Sequence, residues 1–304
     1  MTPDITAIIL TFNEELHIAR CLESIKGLAK EVYVVDSGST DATCRIAREM
    51  GAKVVTYDWP GCQALQFNRA LDNLEIITSW VMRLDADEYP TPELVAEIAQ
   101  RLPQTPPDVN AYILPLGRVF MGRRLRHGIA QGVEMVRLFR RGKARYEDRL
   151  MDEHLTVEGN VGRLKHHFVD HSLIPLNEFI AKHNAYALRE AATILTTQSG
   201  ESVGNLAPQT AKKRRAKSLY ARMPMLWRAF GYFFYRYVVR LGFLDGREGF
   251  LWDFLQGWWY RTLVDARIIE IKRQAGSDDP AEISRVLRQH YGINLPTNPS
   301  SQEF

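Results

Sequence analysis

Short β-branched apolar runs alternate with stretches of helical apolar spacing through the first hundred residues, and few folds accept that pattern. Strand-type runs fall at Ile5–Thr11 and at residues 31–35, 53–57 and 80–84. Between them, Leu16, Ala19, Leu22 and Ile25, then Ala42, Ile46, Ala47 and Met50, recur at helical intervals, and a further helix is expected at 63–73. Strands and helices of these lengths predict parallel β-α-β units with helices on both faces of one sheet. In such sheets ligands bind beyond the carboxyl ends of the strands. The polar clusters sit at those ends: Asn13-Glu14 after the first run, Asp36 after the second, Asp85 and Asp87 after the fourth.

The pattern changes between 110 and 170, where strand and turn signals dominate and arginines are frequent. A helix is expected over 176–196, followed by a polar stretch that reads as a linker. An aromatic helical pair comes next, at 224–241 and 248–271, divided by the turn Leu244-Asp245-Gly246, and a short helix at 279–291 ends the ordered part. The chain has 304 residues, 45% hydrophobic and 25% charged, a composition that argues against disorder. Its net charge of +3 is unevenly spread: residues 205–273 hold fourteen Lys or Arg against five Asp or Glu. That excess points to an anionic partner. Cys21, Cys44 and Cys62 have no C-x-x-C spacing and read as reduced thiols of a cytoplasmic protein. Neither a signal peptide nor an apolar run of about 18 residues is evident, so a cytoplasmic location is expected.

Asp85-Ala86-Asp87 carries the most chemistry. Two carboxylates two apart at an extended chain end would share one side and could hold one hard cation, which suits a phosphate-bearing substrate. The plainer alternative is an acidic turn capping the helix that begins near Pro92. Asp36 reads as an acceptor for nucleotide hydroxyls or base, whereas Asp41, with Ser39 or Thr40, reads as a helix cap. Thr11 and Asn13 are candidates for ligand contact; Glu14 either shares that role or favours the positive helix start. Arg126 and His127 are further candidates for diphosphate or acceptor contact. Arg123, Arg124, Arg137, Arg140 and Arg141 could do the same or form a solvated rim.

The segments Ile8-Ile9-Leu10-Thr11-Phe12-Asn13-Glu14, Val34-Val35-Asp36-Ser37-Gly38-Ser39-Thr40-Asp41 and Leu84-Asp85-Ala86-Asp87-Glu88 together resemble family 2 glycosyltransferases in order and spacing. The resemblance implies an α/β GT-A fold, a Rossmann-like nucleotide-binding sheet merged with an acceptor-binding half. It further implies inverting transfer from a nucleoside-diphosphate sugar with Mg²⁺ or Mn²⁺. By that analogy Asp36 recognises the nucleotide, and Asp85 and Asp87 sit at the sugar diphosphate and metal, Asp87 being the direct ligand. The expected organisation is a catalytic region at 1–198, divided at 108/109 into nucleotide-sugar and acceptor halves, a linker at 199–207, and a helical extension at 208–304.

Residues 137–144, Asp148-Arg149 to Glu153, and 241–249 are similar to the branch containing lipopolysaccharide-core and exopolysaccharide glycosyltransferases. Many relatives there carry His-Glu where this chain has Asp152-Glu153. Inverting transfer needs a base for the acceptor hydroxyl, and Glu153 is the first candidate, Asp152 the second. The aromatic, arginine-bearing helices fit an anionic membrane surface as peripheral anchors; packing on the catalytic region or self-association as a homo-oligomer is the alternative. The acceptor expected from these features is a lipid-linked saccharide or saccharide precursor at the inner face of the cytoplasmic membrane. Nucleic acid is not an expected partner, because no recognised motif accompanies the basic charge. A dehydrogenase lacks its G-x-G-x-x-G, and a nucleotidyltransferase lacks its Gly-rich basic loop after the first strand. Processive synthases carry Q-x-x-R-W, where this chain has Gln256-Gly257-Trp258-Trp259.

Overall fold

The computed structural model describes residues 2–130, 132–147, 155–196, 220 and 223–293. The chain divides into two compact units, Met1–Ile174 with Leu244–Glu248, and Pro175–Phe243 with Gly249–Phe304.

In the first unit, strands β1 (Ile5–Thr11), β2 (Glu31–Asp36), β3 (Lys53–Thr56) and β4 (Trp80–Asp85) are parallel in the order β3-β2-β1-β4. Helices α1 (Ile18–Ser24), α2 (Thr43–Glu49) and α3 (Gln63–Asn73) make the crossovers. β1 is buried along its whole length, as expected of a central strand covered on both faces. Strand alternation divides its side chains. Ile5, Ala7 and Ile9 join Ile18, Leu22, Met82 and Leu84 in one cluster; Ile8 and Leu10 join Val35, Phe67 and Val81 in the other.

The strands beyond β4 break the parallel pattern. They are β5 (Glu88–Pro90), β6 (Val109–Phe120), β7 (Arg123–Leu125), β8 (Glu134–Arg140), β9 (Ala144–Tyr146), β10 (Leu155–Val157), β11 (Asn160–Arg163) and β12 (Phe168–His171). β8 lies antiparallel to β4, and the sheet continues β8-β6-β12-β5, with β7 and β11 on other parts of β6. β5 follows β4 after two residues yet pairs at the far end of that path, so these strands curl back on themselves. Helix α4 (Pro92–Arg101) follows β5, with Thr91 accepting the Leu94 amide and Pro92 in its first turn. Thr91 thus fills the capping role that the sequence alternatively offered to the acidic pair.

The second unit is helical: α5 (Leu176–Thr196), α6 (Trp227–Phe234) running into a π turn at Tyr235–Val239, α7 (Gly246–Asp253, its first residues in the first unit), a second π turn at Phe254–Trp259, α8 (Tyr260–Ala275) and α9 (Pro280–Tyr291). Ala187, Ala191 and Ala192 of α5 pack with Val264, Ile268, Ile283 and Leu287, the small alanines letting the helices approach. That packing carries α5 into the helical unit, which begins at Pro175. The expected linker at 199–207 and the basic run Lys212-Lys213-Arg214-Arg215 lie outside the described residues.

Gly162 of β11 marks a tight approach of ring to backbone in the first unit. A Cβ there would stand 2.6 Å from Cε1 of Tyr112. Tyr112 cannot give way easily, since its hydroxyl bonds Thr105 at 2.7 Å and its ring stacks on Trp80 at 5.8 Å. Gly162→Ala is expected to destabilise the protein by roughly 1–3 kcal/mol, the usual range for overpacking. A urea midpoint equal to that of the parent would refute this.

Candidate functional site

β4 ends on Asp85, and the chain turns through Ala86-Asp87 before β5 begins at Glu88. The two carboxylates therefore stand on a tight turn, and the expectation of an extended chain end presenting both to one side is corrected. Glu88 holds that turn. Its Oε2 accepts the Asp85 amide at 3.0 Å, and its Oε1 accepts from Arg137 Nη2 at 2.5 Å. The same nitrogen donates to Asp85 Oδ2 at 3.2 Å, and Arg83 Nη2 donates to Asp85 Oδ1 at 3.3 Å. Arg20 of α1 supports the main chain, donating to the carbonyls of Asp87 at 3.3 Å and His171 at 2.5 Å, with its guanidinium over the Tyr89 ring. The His171 amide donates to the Asp87 carbonyl at 3.1 Å.

Arg137 is almost fully buried, its guanidinium 5.3 Å from the centre of the Phe168 ring. Burial opposes its charge, but Glu88 and Asp85 more than offset that and keep it protonated. Burial pushes Glu88 up to about 8 against the pull of Arg137. Burial would raise Asp85 too, but the Arg83 and Arg137 guanidinium groups outweigh it and hold the carboxyl below its ordinary range.

This arrangement bears on the expected divalent metal. Among the described residues no group of three or more His, Cys, Asp or Glu could cage an ion. Mg²⁺ seldom needs such a cage, since one or two carboxylates plus substrate phosphates and water suffice. Both Asp85 oxygens already accept from guanidinium groups, and Asp87 stands half-buried on the same turn. The donor set thus fits an ion that arrives with a diphosphate.

The other strand ends are organised differently from the reading of them as ligand contacts. Asp36, 1% exposed, accepts at Oδ2 from the amides of Gly38 and Ser39, both at 2.9 Å, and at Oδ1 from Ser39 Oγ at 2.5 Å and Thr11 Oγ1 at 3.2 Å. A carboxylate has about four lone-pair sites, so this one is fully occupied in shaping its own loop. Gly38 supplies the left-handed residue, with φ of +90°. Asn13, also left-handed at φ 55°, accepts the Thr40 amide through Oδ1 at 2.9 Å, and its own amide donates to Ser39 Oγ at 2.8 Å. Glu14 lies 2.6 Å from His17 Nδ1, and its amide donates to Thr43 Oγ1 at 2.7 Å. Thr11, Asn13, Glu14 and Asp36 together tie the two loops into one platform. Asp41 is structural, accepting the Thr43 amide at 3.0 Å and the Glu15 amide at 3.1 Å, although the cap position of α2 falls on Ala42 and not on 39–41.

Arg126 is exposed and lines an open cleft of about 760 Å³ with Arg123, Arg124, His127, Asp245 and Glu248. Asp245 fixes its floor, Oδ2 accepting the amides of Arg126 at 2.9 Å and His127 at 2.8 Å while Oδ1 meets His127 Nδ1 at 2.9 Å. Across the sheet, Asp87 bonds His171, which pairs with Val119, which pairs with Arg124. Three strand spacings separate turn and cleft, about 14 Å. Glu153 and Asp152, with Asp148 and Arg149, lie outside the described residues.

Sequence reasoning did not find Arg20, Arg83 or Glu88, and treated Arg137 as one arginine among several. The available signal was an acidic residue directly after the D-x-D pair and an arginine inside each of two apolar strands. Arg137→Met is expected to strand Glu88 and destabilise the protein by roughly 3–5 kcal/mol in urea denaturation. Adding Glu88→Leu should recover most of that loss; a single variant as stable as the parent would show that the pair does not secure the turn.

The model of the family described as glycosyl transferase family 2 matches residues 6–164. An uncharacterized glycosyltransferase of Rickettsia bellii (strain RML369-C) is 27% identical over 299 residues, 98% of this chain and 96% of its own. The lipopolysaccharide core biosynthesis glycosyltransferase LpsC of Rhizobium meliloti (strain 1021) is 29% identical over 205 residues, 62% of this chain and 70% of its own. Among solved structures, S. aureus TarS 1-349 aligns over 95% of this chain and 92% of its own at 16% identity and a TM-score of 0.41. With the family match spanning more than half of its length and a parallel sheet ending in the D-x-D turn, the chain belongs to glycosyl transferase family 2 and is a glycosyltransferase of GT-A fold.

Proposed function

We propose that the protein moves a single sugar, with inversion, from a nucleoside-diphosphate sugar to an acceptor hydroxyl. The acceptor is a lipid-linked saccharide or a lipopolysaccharide or exopolysaccharide precursor at the inner face of the cytoplasmic membrane. The observation that carries the reading is the Asp85-Ala86-Asp87 turn, secured by Arg137 and Glu88 at the carboxyl end of the parallel sheet. Similarity to a protein named for lipopolysaccharide core biosynthesis supports the acceptor class. No helix among the described residues is long and apolar enough to cross a membrane, and peripheral attachment accords with that.

The platform of Thr11, Asn13, Glu14 and Asp36 receives the nucleotide, with Asp36 acting through the loop it shapes. Asp87 is the direct ligand of Mg²⁺ or Mn²⁺, and Asp85, held ionised by two arginines, keeps that carboxylate in place. When bound, the ion offsets charge on the departing diphosphate. Arg126 and its neighbours offer positive charge to an anionic group of the acceptor or donor. Glu153, or Asp152 in its stead, takes the hydroxyl proton as the acceptor oxygen bonds to the anomeric carbon. The carbon–oxygen bond to the diphosphate breaks on the opposite face, and its electron pair leaves with the diphosphate.

The test is nucleoside-diphosphate release from a panel of nucleotide-sugars, with and without Mn²⁺. Chelation should abolish release and added metal should restore it; metal-independent release refutes the role given to Asp87. Pyrophosphate as the product would replace this reading with nucleotidyl transfer, and no turnover with any donor would leave a non-catalytic scaffold. Glu153→Gln should retain donor binding in a thermal-shift assay and lose turnover by about 10²–10⁴-fold, the range of general base catalysis. Near-normal turnover in that variant moves the base to Asp152.

A further inference from the structure

Helix α6 and the π turn after it are charged inside and apolar outside. Arg228 and Arg236 point inward, 8% and 5% exposed. Arg228 Nε donates to both oxygens of Asp265 at 3.0 Å, and the Leu226 amide donates to the same carboxylate at 2.7 Å. Arg236 Nε donates to Asp253 Oδ1 at 2.8 Å. Gly242 and Gly257 make room for that second pair: a Cβ on Gly242 would stand 2.0 Å from Asp253 Oδ2, and one on Gly257 would stand 3.0 Å from Arg236 Cδ.

With the arginines inside, the outer face is a continuous apolar stripe. Trp227, Phe230, Phe234, Val238 and Leu241 follow one another at intervals of three or four residues and are 73%, 42%, 51%, 41% and 46% exposed. Tyr235 and Val239 widen the stripe, and Met223, Met225 and Leu226 extend it at the start. At 1.5 Å per residue it is about 21 Å long. A soluble helix of ordinary pattern would turn these faces the other way.

We propose that this stripe docks on the surface of an anionic lipid bilayer. Charge decides the occupant. Residues 202–244 contain nine Lys or Arg and no Asp or Glu, and seven of them remain once Arg228 and Arg236 are paired with Asp265 and Asp253. A second copy carries the same basic sequence and the same sign of charge, whereas anionic headgroups complement it. Trp227 and Tyr235 suit the headgroup boundary, where a ring meets acyl chains and its polar edge meets water. Arg240 is exposed beside the stripe and Arg228 and Arg236 are neutralised beneath it, so no unpaired charge need enter the apolar layer. The inference deepens the lipid-borne acceptor proposed above and rests on that reading for its place in the reaction.

The experiment is co-sedimentation of the full chain with phosphatidylcholine vesicles, with and without about a third phosphatidylglycerol. Binding should require the anionic lipid and weaken with salt. The double variant Trp227→Ser/Phe234→Ser should bind at least about tenfold more weakly, as loss of two inserted aromatics implies. Both residues lie outside the donor site, so hydrolysis of the nucleotide-sugar without vesicles should match the parent. Val238→Ser/Leu241→Ser provides an independent second test with smaller side chains. Undiminished vesicle binding in both variants overturns the proposal. So does a parent that ignores anionic vesicles but self-associates through this face, read by sedimentation and abolished in the variants. A chain that binds vesicles through the stripe yet turns over no donor would sink the transferase reading and leave this surface standing.

Discussion

The buried guanidinium of Arg137 is the point at which chain path, electrostatics and site geometry of the first unit meet. It lies on β8 and reaches Asp85 at the end of β4, Glu88 at the start of β5 and the face of Phe168 on β12. A charge this deep is tolerated only when opposite charges and well-directed hydrogen bonds replace water. β5 follows β4 after a two-residue turn, and from there Glu88 meets both the guanidinium and the Asp85 amide. If the acidic turn moved, the buried Arg137 guanidinium would lose the oxygens of Asp85 and Glu88 that replace its water. That constraint suits a site that must meet a diphosphate without reorganising.

The same pairing divides labour between two carboxylates that look equivalent in the sequence. Asp85 is held ionised by two arginines and has its oxygens engaged by them. Asp87, one residue past the buried Ala86, is half-buried at the turn, and its carbonyl accepts from Arg20 and from the His171 amide. Glu88 is the third acid of the group, and its raised protonation range reflects burial beside two other carboxylates.

Much of the parallel half was legible because its determinants are local. β-branched runs of five to seven residues, helical spacing between them and polar strand ends leave little freedom in how the chain is wound. Asp36 was partly legible: Asp-Ser-Gly-Ser is a turn-forming sequence, and weighing its own amides against a ligand would have shown the carboxylate to be committed. Arg137 was not. Its partner Glu88 lies 49 residues earlier, and the register that joins them depends on the closure of five strands. In the run Arg137-Leu138-Phe139-Arg140-Arg141 nothing local distinguishes the buried arginine from those whose side chains meet backbone carbonyls near the surface.

Buried arginines also explain why helical periodicity, read alone, points the wrong way in the second unit. In α6 the apolar positions outnumber the charged ones, so periodicity would turn the apolar stripe inward. The acids that decide otherwise, Asp253 and Asp265, are on later helices, and Gly242 and Gly257 supply the space their pairing needs. Once Arg228 and Arg236 are fixed inside, the geometry of the helix turns Trp227 and Phe234 outward, while Phe230, half-exposed, also meets the edge of the Trp258 ring at 5.1 Å. An apolar face produced in this way is not a packing defect that one substitution would cure, because reversing it would strand two carboxylates in the interior. The ion pairs that hold this helix against its neighbours are the same ones that leave its aromatic face exposed.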